Sequence, residues 1–131
     1  MPDAGSQSEL RSRRRPSADH VLDVSRYRRQ FPGRVSVIVP AYNAAATIER
    51  TISSVLNQTY SDLEILVVND GSTDETTALV QRIAEVDRRI KLLQKANGGL
   101  VSARNHGIAH ASGEFIAPID ADDLWHPEKI R

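Results

Sequence analysis

A chain of 131 residues, 40% of them hydrophobic, suffices for one domain with a core and is too short for two ordinary ones. Lys plus Arg and Asp plus Glu each total 17, so a formal net charge of zero singles out no partner. With no cysteine, disulfide frameworks, thiolate metal sites and Cys nucleophiles are excluded, and the chemistry rests on oxygen and nitrogen.

Charge is unevenly placed. Residues 1–34 hold eight Arg against four acids (Asp3, Glu9, Asp19 and Asp23), a local balance of +4, and residues 35–131 hold the compensating −4. Residues 1–16 are polar and almost free of large apolar side chains, which predicts a disordered tail. Its run RSRRR is either a solubilising arm, the preferred reading, or a site for phosphate, nucleic acid or anionic lipid; no nucleic-acid partner is expected. Over residues 16–31, Val21, Leu22, Val24, Tyr27 and Phe31 fall on one helical face and predict a short helix packed on the domain. No apolar run approaches the roughly 18 to 20 residues that span a bilayer, and the N-terminus lacks the apolar stretch of a signal peptide. The expected location is the cytoplasm, or the cytoplasmic face of a membrane through peripheral association.

From Val35 onward, short β-branched runs alternate with longer amphipathic ones, an α/β signature. Strands are predicted over 35–39, 63–68, 90–93 and 115–119. Helices are predicted over 47–58, from a Ser72/Glu75 capping box to about residue 86, and over 100–111, with a further helical start at 126–130 opened by Pro127. If the fourth strand returns beside the first, the sheet order is 3-2-1-4 and a crevice opens between strands one and four.

In parallel sheets of this kind, ligands bind outside the carboxyl ends of the strands. Those exits read Pro40-Ala-Tyr-Asn43, Asn69-Asp-Gly-Ser72 and Asp120-Ala-Asp-Asp123. Asp120 and Asp122, one residue apart, suit a hard divalent cation such as Mg²⁺ or Mn²⁺. The rival reading is that Asp122 or Asp123 caps the following helix, and composition leaves the two level. Asp70 is either a turn residue before Gly71 or an acceptor for a ligand N–H. Tyr42 either stacks on a flat ligand or covers the sheet end. Arg104 either reaches a phosphate or is an ordinary exposed helix Arg. His106 and His110 have metal-compatible spacing but no third ligand. Neither G-x-x-x-x-G-K-[ST] nor G-x-G-x-x-G occurs, and G-x-S-x-G is absent too. A phosphotransferase reading of DADDL fails on position, since that motif belongs after the first strand and needs Thr or Val where Leu124 stands.

The blocks VSVIVPAYN, VVNDGS, NGGLVSARN and FIAPIDADD, in that order, resemble the first half of a family 2 glycosyltransferase with the GT-A fold, over residues 35–131. The resemblance implies a Rossmann-like half-domain and transfer of a sugar from a nucleotide-diphosphate donor (UDP- or GDP-sugar type) with inversion. It implies that Pro40, Ala41, Tyr42 and Asn43 line the base and ribose, and that Asp70 accepts from the base N–H, with Asn69 replacing an acid often found there. Asn97 and Gly98 form the loop before Arg104, which approaches the nucleotide. Asp120 and Ala121 lie near the ribose, and Asp122, with Asp120, is the metal ligand. The family's catalytic base lies downstream of the D-x-D, beyond Arg131. The expectation is therefore a donor-binding half that needs a complementing C-terminal half, with a glycan, lipid or protein acceptor left open. The alternative is a non-catalytic nucleotide-sugar-binding module.

Overall fold

The structure, a computed structural model, describes residues 21–23 and 31–130. Five strands form one sheet: β1 (Leu22–Asp23), β2 (Phe31–Ala41), β3 (Leu63–Asp70), β4 (Ile90–Lys95) and β5 (Gly113–Pro118). Three helices connect them: α1 (Ile48–Leu56), α2 (Thr76–Val86) and α3 (Leu100–His110). The spatial order is β1-β5-β2-β3-β4. β2 to β5 pair in parallel, so the predicted order 3-2-1-4 is the observed one, read as β4-β3-β2-β5. The return of β5 beside β2 aligns Val35 with Phe115 and Val37 with Ala117.

Every residue of β3 is buried, as expected of a central parallel strand covered on both faces. Alternation along the strands divides the core in two. Val35, Val37, Val39, Ile65 and Val67 face α1 and α2, where Ile48, Ile52, Val55 and Val80 are wholly buried. Each of those side chains stabilises the fold by about 1.5–3 kcal/mol relative to exposure. On the other face, Ile38, Leu66, Val68 and Ile116 pack against Ala103 of α3. Here α3 approaches the sheet so closely that a Cβ on Gly107 would lie 2.7 Å from Ile38 Cγ2 and 3.0 Å from Val68 Cγ2.

The apolar faces stop at a buried polar group near the amino ends of the strands. Glu64 is 3% exposed and accepts from Ser36 Oγ, from the Ser112 N–H and hydroxyl, and from Lys91 Nζ at 3.0 Å. Burial opposes its ionisation, but those donors outweigh it and hold the carboxyl below the usual carboxylate range.

Three local expectations are corrected. The helix over 16–31 does not include Leu22–Asp23, which pairs antiparallel with Ile116 and Phe115, or Phe31, which begins β2; its other positions and the tail lie outside the described residues. The Ser72/Glu75 capping box does not form, because α2 starts at Thr76 with no side-chain cap and Ser72 Oγ accepts instead from the Asn43 N–H at 2.9 Å. Residues 126–130 make a turn, with Lys129 N–H bonded to His126 C=O, rather than a helix. Their polar groups are taken by α1 and its end: Gln58 Nε2 donates to His126 C=O at 2.7 Å, and Gln58 Oε1 accepts from Ile130 N–H at 2.9 Å. A tertiary anchor has replaced the local ladder, and it brings Ile130 fully into the core.

Candidate functional site

The carboxyl ends of β2, β3 and β5 each release a loop, and hydrogen bonds join these loops into one rim. At the exit of β2, Asn43 takes a left-handed conformation, with φ of 48°. Asn tolerates that region because its side chain can bond locally. Its Oδ1 accepts from Thr73 N–H at 2.8 Å and from Asp74 N–H at 3.3 Å. In return, Ala44 N–H donates to Thr76 Oγ1 at 2.9 Å and Ala45 N–H to Asp74 Oδ2 at 3.1 Å. Asn69 closes its own turn by accepting from Ser72 N–H. Asn43 is thus first a clamp between two loops, a role the sequence did not reveal.

The loop after β5 is held through its backbone. Thr47 precedes α1 without capping it, because its hydroxyl donates to Ala121 C=O at 2.8 Å. Thr51 Oγ1 lies 2.8 Å from both Ala121 C=O and Asp123 C=O. Ser54 Oγ accepts from Trp125 N–H at 3.1 Å. Because α1 grips the main chain, the carboxylates of Asp120, Asp122 and Asp123 remain exposed, with one oxygen of each within 4.8 Å of the others. Among the described residues this is the one such group of potential metal ligands. Its all-oxygen chemistry fits Mg²⁺ or Mn²⁺. The capping alternative lapses, since no helix follows Asp123 as far as residue 130. His106 and His110 are outside the group; His110 Nδ1 lies 2.9 Å from His106 C=O.

Arg104 stands opposite. Its Nη2 lies 3.2 Å from Asp120 Oδ1, while its Nε is buried without a hydrogen-bond partner among the described residues.

Two cavities adjoin along this rim. One, of about 350 Å³, is lined by Pro40, Ala41, Tyr42, Asp70, Asn97, Gly99, Leu100 and Ala103. The other, of about 370 Å³, shares Pro40, Tyr42 and Leu100 and adds Asn43, Thr47, Asp120, Ala121 and Asp122. The structure therefore brings together the predicted Pro40, Ala41, Tyr42, Asn43, Asp70, Asn97, Asp120, Ala121 and Asp122, with Arg104 reaching Asp120. Gly98 joins through Asp70.

Asp70 is 3% exposed and ends β3, where it pairs in register with Lys95 at the end of β4. Lys95 Nζ donates to its Oδ1 at 2.8 Å, as does Gly98 N–H at 2.9 Å, while Gly99 N–H donates to Oδ2 at 2.9 Å. Asn97 Nδ2 donates to its backbone C=O at 3.0 Å. Burial opposes ionisation of Asp70, but the Lys95 ammonium and the two amides outweigh it and hold the carboxyl below its ordinary value. Lys95 was missed by sequence reasoning, although its place at the end of the strand next to Asp70 was a usable signal. Thr51 and Gln58 left none, because their partners lie some 70 residues downstream.

The family model for glycosyl transferase family 2 matches residues 36–131. The chain belongs to that family. It is 48% identical over 97 residues to an uncharacterized glycosyltransferase of Haemophilus influenzae, covering 73% of this chain and 30% of that one. It is 41% identical over 96 residues to the hyaluronan synthase of Pasteurella multocida, covering 73% of this chain and 10% of the synthase. Among solved structures, S. aureus TarS in complex with UDP-GlcNAc superposes with a TM-score of 0.68 at 34% identity, over 72% of this chain and 28% of that one. The mannosyltransferase PcManGT of Pyrobaculum calidifontis, in complex with GDP-Man and Mn²⁺, gives 0.68 at 33% identity, over 95% of this chain and 37% of that one. The chain thus spans less than a third of the two relatives named, and its sheet has the GT-A fold of the solved neighbours.

Proposed function

We propose that this glycosyltransferase chain holds a nucleotide-diphosphate sugar together with Mg²⁺ or Mn²⁺, as the donor-binding half of an inverting transferase acting on an acceptor hydroxyl. The observation that carries this reading is the pair of adjoining cavities. One is lined by buried Asp70 together with Tyr42 and Leu100, and the other by exposed Asp120 and Asp122. A ligand with a flat base at one end and a charged diphosphate at the other matches that division. The neighbours bound to UDP-GlcNAc and to GDP-Man with Mn²⁺ support it.

In this reading, Pro40, Ala41 and Tyr42 line the base and ribose, and Asp70 accepts from the base edge. The loop holding Asn97 and Gly98 forms the cavity wall. Asp122, with Asp120, holds the cation, and Asp123 stands beside them. Arg104 turns its guanidinium from Asp120 toward the diphosphate, where charge-assisted bonds are strong. A divalent ion in this position supplies electrostatic stabilisation of negative charge on a departing nucleoside diphosphate. The acceptor is a glycan, lipid or protein, and transfer takes place in the cytoplasm or at the cytoplasmic face of the membrane.

Calorimetric titration of UDP and GDP with and without Mn²⁺ tests this. Metal-dependent binding that is lost in Asp122→Ala is expected. Binding indifferent to the metal, or unchanged in the variant, contradicts it.

A further inference from the structure

The relatives leave the donor base open, since one solved neighbour holds a uridine nucleotide and another a guanosine nucleotide. Asp70 carries information that bears on this choice. A carboxylate offers four acceptor positions, two on each oxygen. In Asp70, Oδ1 receives both Lys95 Nζ and Gly98 N–H, so its two positions are filled. Among the described residues, Oδ2 receives only Gly99 N–H, so one position remains. Lys95 is held where it is: its Nζ also donates to Ala96 C=O at 2.6 Å, and a Cβ on Gly98 would come within 2.8 Å of it.

The geometry points to Lys95 as the residue that selects uracil over guanine, by occupying Oδ1 and leaving Asp70 a single acceptor for the base edge. This rests on the cavity beside Asp70 being the base site. Uracil presents one N–H between two carbonyls and asks for one acceptor. Guanine presents two adjacent donors, its ring N–H and its amino group. The second donor meets an oxygen already saturated by an ammonium and an amide. A buried donor without a partner costs about 1–3 kcal/mol, which corresponds to about 5- to 150-fold in affinity. Removing the Lys95 amine empties one position on Oδ1 and lets the carboxylate receive both guanine donors side by side.

Inosine diphosphate isolates the effect, because it is guanosine diphosphate without the amino group. Binding of UDP, inosine diphosphate and GDP is measured by calorimetry with saturating Mn²⁺, on the 131-residue chain and on Lys95→Met. Expected are UDP and inosine diphosphate each about tenfold tighter than GDP on the unmodified chain, and a gap between the two purine nucleotides that closes in the variant. Equal affinity for inosine diphosphate and GDP on the unmodified chain, or a gap that persists in a folded Lys95→Met, overturns the inference and leaves the donor site standing. Absence of binding by all three removes the donor site, and this inference with it. If Lys95→Met does not fold, the comparison of the two purine nucleotides on the unmodified chain decides alone.

Discussion

Arg104 on α3 reaches across the crevice to Asp120 after β5, with Nη2 and Oδ1 separated by 3.2 Å and both side chains partly exposed. A pair this open to water adds at most about 1 kcal/mol to stability. On the proposed reading, its worth is in binding. Arg104→Gln is expected to leave the melting temperature within a few degrees of the parent while weakening Mn²⁺-dependent UDP binding by about tenfold, the scale of a lost hydrogen bond to a charged group. Thermal melting and calorimetry on the same preparation separate the two effects.

Asp70 behaves in the opposite way, because it is buried and tied to a nearly buried ammonium. Asp70→Asn leaves Lys95 without its counter-charge and is expected to lose about 3–5 kcal/mol, measured by urea unfolding at neutral pH.

The same residue sets a pH dependence, together with Glu64. Both carboxyls are held below their ordinary values in the folded chain, so the unfolded chain binds protons first as pH falls. Their stabilisation is complete above the unfolded values near 4 and is lost as pH drops through the lower folded values. Urea midpoints are expected to be flat in this respect from about pH 7 to 5 and to fall below about pH 4. Asp70→Asn should show a shallower acid decline, since one of the two linked groups is gone.

Gln58 ties residues 126 and 130 to the end of α1 with both ends of its amide. Gln58→Ala strands the buried Ile130 N–H, at a cost of about 1–3 kcal/mol, whereas His126 C=O keeps its bond from Lys129 N–H. Loss of stability should be accompanied by faster amide exchange at Ile130, which hydrogen-exchange mass spectrometry reads directly.

At Gly107 the expected change is steric. A Cβ there meets Ile38 Cγ2 at 2.7 Å, so Gly107→Val pushes α3 off the sheet at a cost of about 1–3 kcal/mol or more. Because α3 carries Arg104 and walls the cavity with Leu100 and Ala103, nucleotide binding should weaken as well.

The parallel order was legible because β-branched runs and turn residues mark each strand end, and those ends hold the polar groups that form the rim. What stayed hidden depends on contacts between distant segments. Ser72 and Glu75 have capping-box spacing, yet Asn43 claims the Ser72 hydroxyl from 29 residues away. Pro127 resembles a helix start, yet Gln58 takes the polar groups that a helix would use. Leu22 fits a helical stripe, yet the free edge of β5 offers it a strand partner. The place of Asp70 at the exit of a strand was readable, but its attachment to Gly98 and Gly99 required the fold.

The Asn43 clamp has a practical side for anyone grafting loops between these enzymes. Residue 43 and the segment 72–76 exchange five hydrogen bonds with each other, counting the flanking Ala44 amide, so neither is an independent module. A chimera that imports one without the other would inherit a mismatched hinge at the mouth of the cavity lined by Asn43, Asp120 and Asp122, whereas importing both moves the clamp as a single cassette.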